Sequence, residues 1–254
     1  MGEEAGRLKG MARPAFYAAR PGGGWRDWWT LLHPPYTAWH LSYVVIGATI
    51  APRTDGGRLV ATLLAFFFAV GISAHALDEL HGRPLRTTIP RTLLVAAAIG
   101  GLGIACALGF AGVATVGPGL IAFIVIGPLL VLGYNLELFG GRLHTDIGFA
   151  VSWGAFPALV GYFVQAEHLD ATAALAAAAA LVFSLAQRSL STPARALRRR
   201  VEHLSGEVTV RDGPDAVVHE LTVPILLAPL ERALSLLSWA MVILALALLA
   251  ARVF

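Results

Sequence analysis

Three stretches of the chain, Thr92–Val113, Pro118–Leu136 and Ile147–Val164, contain no Asp, Glu, Lys or Arg. A helix needs about 20 predominantly apolar residues to cross a bilayer core, and only helices or closed barrels satisfy their backbone polar groups there. These stretches lack the strict alternation of a barrel strand, so the pattern predicts an all-α, polytopic transmembrane helical bundle of about seven to nine spans. Composition agrees: 57% of the 254 residues are hydrophobic and only 14% are charged, against nearer a quarter charged in a soluble domain.

Eight spans are expected, at 36–52, 58–77, 92–113, 118–136, 147–165, 170–187, 217–230 and 233–251. The seventh is short, holds Pro224 and Pro229 and is bounded by Glu231 and Arg232, which also fits a re-entrant or broken helix. Residues 1–32 form an N-terminal arm, expected to be disordered up to Trp25-Arg26-Asp27-Trp28-Trp29, whose aromatic and charged mixture suits an interfacial anchor. No apolar core with a cleavage site follows Arg7 and Lys9, so no signal peptide is expected. The transmembrane domain is 33–254, with a basic loop over 188–216 in which Ala194–Leu204 reads as an amphipathic helix on the membrane surface.

With the N-terminus inside, sixteen of the nineteen Lys and Arg residues fall in inner segments. That asymmetry predicts a multi-pass protein of the cell membrane with a cytoplasmic N-terminus. It also explains a sequence pI near 9.4 without a nucleic-acid partner. The single cysteine, Cys106, lies mid-span and excludes an intrachain disulfide.

Chemistry is expected where spans meet the inner face. The first inner loop carries His75, Asp78, Glu79, His81, Arg83 and Arg86 within twelve positions. His75, Asp78 and Glu79 share one helix face at i, i+3 and i+4, and such a cluster at a span end is costly unless paired, hydrated or metal-bound. Two readings stand beside that of a solvated loop. Carboxylates at 78 and 79 hold a divalent ion against a diphosphate, with Arg83 and Arg86 neutralising phosphate charge. Alternatively, His75 and Asp78 join partners elsewhere around a transition metal. The second inner loop offers Tyr134, Asn135, Glu137, Arg142, His144 and Asp146, with Asp146 also a candidate cap for the fifth span. The end of the sixth span offers Gln187 and Arg188 without a carboxylate. No P-loop, His-Glu-x-x-His, Gly-x-Ser-x-Gly or Cys-x-x-Cys motif is present.

The order of these features resembles the UbiA-type membrane prenyltransferase family. The resemblance rests on Asp78 followed by Arg83-Pro84, on Tyr134-Asn135, and on Trp153–Gly161 with its Gly-x-x-Pro, and covers roughly residues 33–190. It departs at Ala74 and Gly82, where the family's first motif has Asn and a last Asp, and at Gln187–Arg195, where its second acidic motif would fall. The resemblance implies transfer of an isoprenoid chain, or related chemistry on an isoprenoid lipid. Asp78 and Glu79 would hold Mg²⁺, Arg83 and Arg142 would meet anionic oxygen, Tyr134 would orient the acceptor, and Arg86, Asn135, Gln187 and Arg188 would help bind substrate. Two alternatives remain open. One is an enzyme on the same bundle with iron, zinc or manganese held by His75, Asp78, Glu137, His144 and neighbouring carboxylates. The other is a non-catalytic lipid-binding or carrier protein.

Overall fold

The computed structural model describes residues 13–20, 22–212 and 215–253. A short helix α1 (Trp25–Leu31) leads into α2 (Pro34–Ile50), and then come α3 (Gly56–Leu80), α4 (Arg91–Val116), α5 (Leu120–Asn135), α6 (Asp146–Ala166) and α7 (Ala171–Arg199). An antiparallel hairpin of β1 (Glu207–Asp212) and β2 (Asp215–Glu220) precedes the last helix, α8 (Val223–Val253). The chain is mostly helical. Five helices, α3, α4, α6, α7 and α8, are long and apolar enough to cross a membrane, and α5 is a shorter apolar helix.

The chain departs from the expected spans at its C-terminal end. Residues 217–230 and 233–251 are not two spans, because 217–220 belong to β2 and 223–253 run as one helix. Pro224 sits in the first turn, where a missing N–H costs nothing. Glu231, expected to end a span, is neutralised by Arg198, whose Nη2 and Nε lie 2.6 and 2.7 Å from its two oxygens. The surface helix expected at 194–204 is instead the last part of α7, which continues through Pro193 to Arg199 and then ends. Arg198 and Arg199 in its last turn complement the negative end of the helix dipole.

Inside a bilayer, helices associate through close packing rather than through apolar burial. Gly47 of α2 and Gly161 of α6 supply it here. A Cβ on Gly47 would run into the Ala158 carbonyl, and one on Gly161 into that of Val44. Around this crossing lie the fully buried Trp39, Tyr43 and Tyr162. Trp39 Nε1 donates to the Tyr43 hydroxyl at 2.6 Å, which also receives Ser184 Oγ from α7 at 3.1 Å.

One end of the bundle is closed by polar staples. Asp55 and Gln165 exchange two hydrogen bonds, and Arg252 donates to the carbonyls of Thr49 and Ala51. Arg58 links the end of α3 to the Val164 carbonyl, Glu167 and the Thr115 carbonyl. The opposite end is open and holds the functional groups.

Candidate functional site

Two helical irregularities prepare the open end. α3 is π-helical over Phe67–Ala74 and α6 over Val151–Ala155, and such single-turn bulges redirect side chains and free carbonyls. The Trp153 carbonyl has no helical partner four residues on, because Pro157 lacks an N–H. His40 of α2 takes it, with Nδ1 at 2.8 Å. His75 Nδ1 lies 3.2 Å from the Gly71 carbonyl within the α3 bulge, and His144 Nδ1 lies 3.1 Å from the Tyr134 carbonyl at the end of α5. A carbonyl only accepts, so each of these Nδ1 atoms carries the hydrogen of its bond.

These imidazoles line a polar cavity of about 410 Å³. α2 contributes Tyr36 and His40, preceded by His33. α3 contributes His75 and Asp78, α5 and its following loop Tyr134, Asn135 and His144, and α6 Trp153. α7 forms a basic wall of Arg188, Arg195, Arg198 and Arg199 with Gln187 and Ser191, and α8 adds Glu231. Residues Pro14–Tyr17 cover the mouth. Their cover is held by Arg198 Nη1 on the Arg13 carbonyl and Arg199 Nε on the Pro14 carbonyl, at 3.2 and 3.1 Å.

Charge is unevenly satisfied around this cavity. Arg188 is paired with Asp146 at 2.7 Å and its guanidinium lies over the Phe149 ring. Arg198 is paired with Glu231. Arg195 and Arg199 have no carboxylate within ion-pair distance among the described residues. The Gln187 side chain is buried, and among the described residues neither its Oε1 nor the buried His33 Nε2 has a hydrogen-bond partner. His33 is held at a left-handed φ of 46°, a strained conformation for a side chain of its size. Burial, and next the neighbouring His75, hold its pKa well below 6.5, so it is neutral at physiological pH. Burial likewise pushes the Tyr17 phenol far above its usual range.

Seven of the sequence-predicted site residues meet here: His75, Asp78, Tyr134, Asn135, His144, Gln187 and Arg188. Asn135 turns its amide back on the Val131 carbonyl, however. The others lie elsewhere. Glu79 is fully buried and accepts from Leu85 N, Thr87 N and Thr87 Oγ1 at 2.8–3.0 Å, so it pins the following loop rather than facing the cavity. Arg83 donates to the Thr87 and Ile89 carbonyls of the same loop. Arg86 and Arg142 are exposed, and Glu137 lies beside His81 at 4.0 Å. Asp146 partners Arg188, and the side chain capping α6 belongs to Thr145. Among the described residues no group of three His, Cys, Asp or Glu is arranged to hold a metal ion. His75, Asp78 and His144 line the cavity while Glu137 lies outside its lining, so the four are not gathered into one such group there.

Sequence reasoning did not bring His33, Tyr17 or Tyr36 to the site, and it placed Arg199 on a surface helix rather than in the cavity wall. The basic run at 195–200 was visible. What hid its role was the expectation that the helix ended before it.

No protein-family model, curated protein or solved structure matches the chain.

Proposed function

We infer that the polar cavity receives the anionic head group of an amphipathic lipid, and that the protein is a UbiA-like membrane prenyltransferase or a related enzyme acting on an isoprenoid lipid. The observation that carries this reading is the α7 wall, where Arg195 and Arg199 line the cavity and, among the described residues, no carboxylate lies within ion-pair distance of either. Two guanidiniums at a span end without a carboxylate at ion-pair distance are expensive, even with Asp78 in the same cavity, and their planar donor forks match phosphate oxygens. Gln187 adds a buried amide at the same wall. Mg²⁺, held by Asp78 and the phosphates, would supply further charge neutralisation.

In this reading the arginines draw off the negative charge that develops as the allylic C–O bond breaks and the diphosphate leaves with its electrons. Tyr134 and Trp153, edge to face at 5.7 Å, line the cavity and supply aromatic surface near the positive charge left on the prenyl carbon. Covering residues 14–17 keep water from that carbon. The orientation that suits this reading places the cavity at the cytoplasmic face. α2 and α5 then join the five long helices as crossings, giving seven. Relative to the sequence expectation, Arg252 moves to the outer end and Arg232 to the inner half, so the sixteen-to-three division of basic residues is unchanged.

Calorimetric titration of the detergent-purified protein with inorganic diphosphate and with farnesyl diphosphate tests the reading. Saturable binding that weakens at least tenfold in Arg195→Gln/Arg199→Gln is expected. Farnesyl diphosphate binding that ignores both arginines would leave a carrier of neutral lipid.

A further inference from the structure

The β1–β2 hairpin stands apart from the bundle. No helix packs extensively on either strand among the described residues, and Glu207–Arg211 and Ala216–Glu220 are exposed throughout. Val208, Val210, Val217 and Val218 are among them. A lone two-stranded hairpin is marginally stable in water, and a third strand, a fourth or an apolar covering is what makes such a unit persist. Valine suits the half-buried surface of a larger sheet, so this run of exposed valines marks a sheet that is incomplete in one copy of the chain.

The ladder decides which edge groups are free. The Leu221 N–H donates to the Gly206 carbonyl, and the same register sets Val208 opposite His219 and Val210 opposite Val217. Hydrogen-bonded and non-hydrogen-bonded pairs alternate in an antiparallel ladder. Gly206, Val208 and Val210 therefore spend their backbone groups on β2, while Glu207, Thr209 and Arg211 turn theirs outward. No backbone partner meets that outer edge among the described residues. By the same alternation the outward residues of β2 are Ala216, Val218 and Glu220.

We propose that the outer edge of β1 pairs with the same edge of a second copy of this chain, joining two hairpins into a four-stranded antiparallel sheet. Copies that share a bilayer and its sidedness are related by rotation about the membrane normal, and a closed pair sets one patch against itself. An outward residue can hydrogen-bond only to an outward residue, which excludes every register that opposes odd and even positions. The register centred on Thr209 uses all three outward residues. Thr209 then faces Thr209 of the second copy, and Glu207 faces Arg211 of the second copy, twice by symmetry. Opposite charges directly across a strand pair attract, and like charges there destabilise it. Val208 faces Val210 of the second copy, and with Val217 on the same face they make one apolar stripe across the sheet. The corresponding β2 register, centred on Val218, sets Glu220 against Ala216 with no basic residue to meet it. Charge therefore selects the β1 edge. The proposal stands apart from the head-group reading, since the hairpin does not line the polar cavity.

The test combines cross-linking of the full chain in its membrane with the mass of the detergent-purified protein by light scattering. In a Cys106→Ser background, Thr209→Cys should form a disulfide between copies under mild oxidation, because the two positions face each other. Val218→Cys, on the other edge, should not. Glu207→Arg and Arg211→Glu should each raise the dimer dissociation constant about tenfold, since two attractive pairs become repulsive. The exchange Glu207→Arg/Arg211→Glu should restore it, a rescue that misfolding would not give. Thr209→Pro loses an N–H that points away from β2, so it should keep the melting temperature of the unmodified protein and abolish the dimer. A protein that stays monomeric, a disulfide at Val218→Cys in place of Thr209→Cys, or reversals that the exchange does not rescue would each overturn the proposal. A monomer whose fluorophore at position 208 is quenched by spin-labelled lipid would overturn it in favour of the bilayer surface.

Discussion

The imidazoles of His33 and His75 lie 4.2 Å apart, centroid to centroid, in one polar cavity, although 42 positions separate them in sequence. Tyr17 closes over His33 at 5.1 Å. Protonating either ring would put a cation against its neighbour away from bulk water, which is why His33 resists the proton.

That resistance gives a pH dependence. The folded state holds the His33 pKa below the ordinary 6.5 of the unfolded chain. Above that value both states are neutral and the residue costs nothing. As pH falls below it the unfolded state takes up a proton that the folded state refuses, and stability drops by up to about 1.4 kcal/mol per pH unit. Thermal unfolding in detergent between pH 7.5 and about 5 should show this loss. His33→Phe should lessen it, and an unchanged slope in that variant would assign the effect to other groups.

Asp78 and Glu79 are neighbours in sequence with different surroundings, and their variants should separate. Asp78→Asn removes a negative charge from the cavity wall. Without Mg²⁺ it should tighten inorganic diphosphate several-fold, and any enhancement by Mg²⁺ should vanish. Glu79→Ala strips three hydrogen bonds from Leu85 and Thr87, leaving buried donors unmet at about 1–3 kcal/mol each. Its signature is a large fall in melting temperature. A stable Glu79→Ala protein that had lost only diphosphate binding would contradict this assignment.

Arg198 and Glu231 tie α7 to α8 with both side chains largely buried, at 20% and 17% exposed. Arg198→Met leaves a carboxylate without its partner and should cost about 3–5 kcal/mol. Adding Glu231→Leu should recover most of that. The single variant also releases the Arg13 carbonyl, so protease cleavage within residues 13–20 should speed up.

Sidedness is open to labelling. In a Cys106→Ser background, cysteine at position 81 or 142 should resist an impermeant maleimide added outside intact cells and react after permeabilisation. Prompt outside labelling of either would invert the topology.

The helical bundle was legible because charge-free runs of spanning length permit few other solutions. The last two expected spans failed because a local signal was overridden by a distant partner. Pro224, Pro229, Glu231 and Arg232 read as a break, and only the ion pair with Arg198, 33 residues away, shows why the helix passes through. At the site, His75, Asp78 and Tyr134 were visible as polar residues at span ends. Glu79 was not separable from Asp78, since helix spacing places both near one face and only the following loop decides which carboxylate it captures. His40 and His33 depend on long-range partners, a carbonyl freed by Pro157 and a ring on α3, that no local pattern encodes.

If α7 presents Arg195 and Arg199 to an anionic lipid head, removing both guanidiniums must weaken the binding of that head. The most direct measurement is the dissociation constant of farnesyl diphosphate for the unmodified protein and for Arg195→Gln/Arg199→Gln, with melting temperatures confirming that both are folded. A rise of at least tenfold in the double variant, matched by loss of inorganic diphosphate binding, is the expected result. Equal constants for the two folded proteins would contradict it.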